Sequence, residues 1–168
     1  MISPETLRRY PFFSCFSHVQ LDELAMAADE LYVDAEYRFF DEGEALIHFF
    51  LLQEGSVKLT VKIPDRNARQ TMAMHVTGDL VTRDIAVGTL GKHDVFGWSA
   101  LIPPHESTAG AQALMPCQVI AIDARQLRPA LKRDCQFSQL LTLKAAQIVR
   151  ERLRVRRIES LAGYVEHT

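Results

Sequence analysis

The sequence predicts a mainly β, antiparallel domain with helices at both ends. Between Tyr32 and Asp123, short apolar runs alternate with Gly, Asp, Pro and Asn, the texture of short strands joined by turns. The segment SVKLTVKI puts Val57, Leu59, Val61 and Ile63 on one strand face and Lys58, Thr60 and Lys62 on the other, as a sheet buried on one side requires. After Asp123, glycine disappears until Gly163 and helix-forming residues take over. The 168 residues, 48% hydrophobic and 24% charged, suit one domain with a sizeable core.

The elements follow in order. Residues 11–31 carry apolar side chains at Phe12, Phe13, Phe16, Val19, Leu21, Leu24, Ala25, Ala28 and Leu31, with Asp22 and Glu23 on the polar side, which predicts one or two short helices. Residues 32–123 form the β region. After SVKLTVKI, a turn at PDRN and the alternating run TMAMHV predict a hairpin over 64–82. DIAVGTL is a further strand, a turn follows at Gly91–Asp94, Val95 and Phe96 lead into Gly97, and CQVIAID is the last strand. Residues 124–162 are helical. ARQLRPALKRD forms a short helix with Pro129 in its first turn, where a missing amide hydrogen matters little.

A long helix over 136–161 follows. Phe137, Leu140, Leu141, Ile148, Val155 and Ile158 share a sector of about 100°, interrupted by Lys144 and Glu151. A helix of about 38 Å is longer than a small barrel can cover, so part of that stripe is expected to meet a second chain in a homodimer.

Composition excludes several classes. Lys plus Arg is 19 and Asp plus Glu 21, a formal net charge of -2 that provides no global pull toward nucleic acid or an anionic membrane. Lys144, Arg150, Arg152, Arg154, Arg156 and Arg157 nevertheless stand against the single acid Glu151 over 144–157. That stretch reads either as a contact for a polyanion or acidic protein surface, or as the solvated flank of a dimer helix favoured by the helix dipole; the second is preferred. With no apolar run near 20 residues and no apolar leader at the start, a soluble cytoplasmic protein is expected. Cys15, Cys117 and Cys135 have neither disulfide-framework nor CxxC spacing. His75, His93 and His105 lack an HxH pair, so no metal is expected. No GxSxG, no GxxxxGK[ST] and no isolated carboxylate pair is present, so no enzyme activity is expected.

RFFDEGE, FFLLQEGSVKLTV, FGWSAL and the downstream STAGA occur in an order that resembles the cyclic nucleotide-binding domain of catabolite activator-type bacterial regulators, from about Phe12 to Ala162. The resemblance implies an eight-stranded jelly roll (a double-stranded β-helix). Its ligand would sit in a cassette where a glycine-led turn opens a short helix toward a cyclic phosphate. In that family the cassette reads Gly, Glu, an apolar residue, Ala or Gly, Leu, and later an Arg shortly before Ser/Thr-Ala; the Glu holds the ribose and the Arg the phosphate. Gly97, Ala100, Leu101, Thr108 and Ala109 match. Trp98 replaces the Glu, Ser99 the apolar residue, and the Arg position falls on Glu106 or Ser107.

Losing two charged hydrogen bonds costs roughly 3 to 6 kcal/mol, about 100-fold to 10,000-fold in affinity for a cyclic nucleotide. The resemblance leaves Gly97, Trp98, Ser99, Ala100, Leu101, Ser107 and Thr108 as candidate ligand contacts for a cyclic nucleotide or related small molecule. Trp98 either stacks on a ligand ring or fills the vacated pocket. The expected role is a stand-alone sensing module that passes a signal to a separate output protein. A ligand-free interaction domain is the alternative, and a transcription regulator acting through the basic helix is a weaker third. DNA-binding relatives carry a helix-turn-helix after the long helix, where only GYVEHT follows here, so nucleic acid is not an expected partner.

Overall fold

The computed structural model describes residues 2–64 and 81–165, which divide into a β unit (29–122) and a helical unit (1–28 with 123–168). The β unit is built on two four-stranded antiparallel sheets. One has the order β1 (Ala28–Val33), β8 (Cys117–Asp123), β3 (His48–Glu54), β6 (Val95–Phe96). The other has the order β2 (Arg38–Phe40), β7 (Gly110–Ala113), β4 (Val57–Pro64), β5 (Thr82–Leu90). This is the jelly roll expected from the sequence.

Burial follows the position of each strand. In β3, Phe49, Phe50, Leu51 and Leu52 are all buried, the continuous pattern of a strand covered on both faces. In β4 the alternation holds at Val57 and Leu59, then weakens to half-burial at Val61 and Ile63. A register shift between Leu59 and Thr60 accompanies that change. The β3–β4 turn requires glycine: Gly55 has φ 103°, and a Cβ there would lie 2.5 Å from Cys117 Sγ and 2.7 Å from the Pro116 carbonyl. On its side away from β7, β4 pairs with β5, from Val57↔Leu90 to Pro64↔Thr82. The run TMAMHV and His75, expected in a hairpin over 64–82, lie outside the described residues.

The helical unit contains α1 (Pro4–Arg8), a 3-10 turn at Pro11–Phe13, α2 (His18–Met26), α3 (Ala124–Arg133) and α4 (Cys135–Val165). A reciprocal cap starts α2: Ser17 Oγ accepts from the Gln20 amide at 3.3 Å, and Gln20 Oε1 accepts from the Ser17 amide at 3.1 Å. The Gln20 side-chain amide also donates to Asp134 Oδ2 at 2.9 Å, while Asp134 Oδ1 accepts from the Phe137 amide at 2.9 Å and so caps α4. These bonds hold the Asp134 carboxyl below its ordinary range, the Gln20 bond foremost and the Phe137 amide next. Phe16 and Phe137 meet edge to face at 5.7 Å.

Three sequence expectations are corrected here. Helix α2 stops at Met26, not Leu31, because the Ala27 carbonyl accepts from the Asp123 amide at 2.9 Å and strand pairing takes over from Ala28. Pro129 is the sixth residue of α3, not in its first turn, since Asp123 at the end of β8 is already the cap, accepting from Arg125 at 2.8 Å. There the proline withholds the hydrogen bond that would reach the Arg125 carbonyl. Helix α4 is longer than 136–161, 31 residues from Cys135 to Val165. Phe137, Leu141 and Ala145 are buried along its stripe, but Val155 and Ile158 are 46% and 58% exposed.

Candidate ligand cassette

Strand β6 brings two buried residues, Val95 and Phe96, to Gly97. Gly97 is left-handed, with φ 72° and ψ 18°. A Cβ on it would lie 3.0 Å from the His48 carbonyl, 3.2 Å from the Phe50 ring and 3.4 Å from the Phe40 ring. Both the backbone angle and the close approach of β3 therefore favour glycine. Trp98–Leu101 then form a single 3-10 turn, in which the Ala100 amide donates to the Gly97 carbonyl at 3.0 Å. That amide is therefore engaged within the turn itself. Ser99 and Ala100 are buried, while Trp98 and Leu101 are half-buried.

The chain closes the cassette through a loop fixed at both edges. The Ile102 amide donates to the Ser99 carbonyl at 3.1 Å, and the His105 amide donates to the Ile102 carbonyl at 2.9 Å. The Leu46 amide reaches the His105 carbonyl at 2.7 Å, Ala45 bridges Glu106, and the Ser107 amide reaches the Glu44 carbonyl at 2.9 Å. Ser107 is buried and its hydroxyl donates to the Asp41 carbonyl, so its proton is committed to the backbone rather than to a ligand. Thr108 and Glu106 are exposed. Of the expected contacts, the fold brings Gly97 through Leu101 into one turn and sets Ser107 and Thr108 at the end of the loop that closes it.

The surrounding charge is mainly negative. RFFDEGE supplies Asp41, Glu42 and Glu44 beside the closing loop, with Gly43 donating to the Ser107 carbonyl at 2.8 Å. Arg38 in this segment is engaged by Asp41 and, at 3.3 Å, by Asp84. Those two carboxylates, Asp41 first, raise its guanidinium above its ordinary range.

Sequence reasoning missed the aromatic cluster beside Gly97. Phe50 stacks on Phe96 at 5.0 Å, and Phe39 meets Phe96 at 5.1 Å and Phe50 at 5.3 Å, both edge to face. Phe40 lies 6.2 Å from each of Phe50 and Phe96. The signal was present as the doublets in RFF and HFF and the VF before Gly97, all at strand positions. Among the described residues no group of three His, Cys, Asp or Glu is placed to hold a metal ion, and no helix is long and apolar enough to cross a membrane.

Comparison with known proteins agrees with this geometry. A protein from Geobacter metallireducens described as a cyclic nucleotide-binding protein is 28% identical, with TM-score 0.73, the match covering 91% of this chain and 99% of that one. A cyclic nucleotide-binding domain from Methylobacillus flagellatus shares the fold at 15% identity and TM-score 0.71, over 95% of this chain and 80% of that one. The Thermus thermophilus catabolite activator protein does so at 18% identity and TM-score 0.61, over 92% of this chain and 63% of that one. No curated protein matches. The family model for the cyclic nucleotide-binding domain matches residues 30–134, from β1 through α3, and the chain therefore belongs to the cyclic nucleotide-binding domain family.

Proposed function

We propose that this protein is a non-catalytic regulatory module that binds a small ligand at the Gly97–Leu101 turn and signals through α4, as a homodimer, to a separate output protein. The observation that carries the reading is the left-handed Gly97 opening a Gly-x-x-Ala-Leu turn, closed by a loop hydrogen-bonded on both sides. A ligand that prefers one arrangement of this turn shifts the population toward it, and the shift is transmitted only by that difference in affinity. Trp98, half-buried, supplies a flat ring beside the turn, and Thr108 a hydroxyl at its far edge.

The test is calorimetric titration with cyclic AMP, cyclic GMP and cyclic dinucleotides. Heat at micromolar concentration, lost in Gly97→Asp with circular dichroism unchanged, is the expected outcome. Silence with every titrant would sink the reading. One observation favours a second reading, a ligand-free interaction domain. The Phe40, Phe50 and Phe96 rings pack directly behind Gly97, and Trp98 and Glu106 or Ser107 stand where the family resemblance implies a Glu and an Arg. That reading predicts no heat with any nucleotide and retained self-association.

A further inference from the structure

We propose that His105 is the residue through which this cassette meets the anionic group of its ligand, in place of the missing arginine. The inference rests on the reading that the cassette takes a ligand. His105 lies in the closing loop, linked to the turn by two successive hydrogen bonds: its amide to the Ile102 carbonyl, and the Ile102 amide to the Ser99 carbonyl. Its φ is 66°, a left-handed conformation to which histidine, asparagine and aspartate are better suited than most residues. The ring is half-buried, yet its Nδ1 is fully shielded and has no hydrogen-bond partner.

An unpartnered buried ring nitrogen is unfavourable, since it has given up water and received nothing in exchange. The backbone cannot shift to relieve it, because Leu46 holds the His105 carbonyl at 2.7 Å and Glu44 holds the Ser107 amide at 2.9 Å. Freedom is left in the ring. Turning about its side-chain bonds carries Nδ1 out of the loop, where an N–H there donates to a ligand oxygen. The loop thus holds an unsatisfied ring nitrogen, and in the tautomer that carries its proton on Nδ1 an anion that accepts from it prefers the turned state, which is the differential interaction a population shift requires. Its two neighbours do not supply that contact: the Ser107 hydroxyl is bonded to the Asp41 carbonyl, and Glu106 is an exposed acid.

Position-specific amides test this. Asparagine presents its NH2 near the place of Nδ1 and tolerates positive φ, whereas glutamine presents it nearer Nε2. With cyclic AMP and cyclic GMP as probes, His105→Asn is expected to bind within about threefold of the wild type. His105→Gln is expected to bind about ten- to a hundredfold more weakly, with thermal melting of both close to wild type. Equal binding by wild type and both variants overturns the role of His105 and leaves the cassette reading intact. Equal weakening in both variants assigns the histidine a structural role and also overturns it. No heat with the wild-type protein overturns the cassette reading and this inference together.

Discussion

The β unit and the helical unit differ in charge and in how completely they cover themselves. Residues 29–122 hold thirteen Asp and Glu against seven Lys and Arg, whereas residues 1–28 and 123–168 hold twelve Lys and Arg against eight Asp and Glu. In the β unit the strongest apolar run, Phe49 to Leu52, is fully buried. In the helical unit Leu143, Val149, Leu153, Val155 and Ile158 of α4 stay exposed. A near-neutral chain can therefore conceal two surfaces of opposite sign. The difference also shows where unmet apolar surface accumulates. A strand ends when its ladder partners end, but a helix satisfies its own backbone and can extend beyond anything that packs on it.

The largest expected effect comes from truncating one fully buried phenylalanine in each unit. Phe96→Ala and Phe137→Ala should each cost about 3 to 5 kcal/mol in urea unfolding. Trp98 is the only tryptophan, so its fluorescence reports on the β unit while far-ultraviolet circular dichroism weights the helices. Phe96→Ala should shift the fluorescence transition more, and Phe137→Ala the dichroism transition more. One common midpoint for both probes in both variants would show a single cooperative unit and break the comparison.

A smaller change should strip the exposed stripe of its proposed role. Val155→Glu combined with Ile158→Glu is expected to convert the proposed dimer to single chains in sedimentation equilibrium, while unfolding free energy moves by less than about 0.5 kcal/mol. An unchanged mass would remove α4 as the joint between copies. The smallest effect is that of pH on the α4 cap. Asp134 is held below its ordinary value of 3.8, so its contribution is complete above that value and is lost as pH falls through the lowered one. Asp134→Asn should melt earlier than wild type at about pH 6, with the gap narrowing toward about pH 3. A gap that widens in acid would show that the carboxylate does not stabilise the helix start.

Legibility varied with the range of the interaction. Strand β4 and the last strand, β8, were readable because a period of two and bounding turn residues are local properties of the chain. Gly97 was readable because glycine is the residue best suited to a left-handed turn closely approached by a neighbouring strand. The end of α2 was not: Ala28 and Leu31 continue a helical spacing, and only the Ala27–Asp123 hydrogen bond, between residues 96 positions apart, makes them strand. The Phe39, Phe40, Phe50 and Phe96 cluster was hidden for the same reason, its members coming from three strands.

By itself the sequence determined the fold class and the glycine that opens the turn, since residue identity and local period need no partner. Tertiary structure alone decided that the Ser107 proton belongs to Asp41, that the Ala100 amide is engaged, and that His105 Nδ1 has no partner. Each of these is a hydrogen-bond assignment, made or withheld by atoms that only the closed sheets and loops bring within reach.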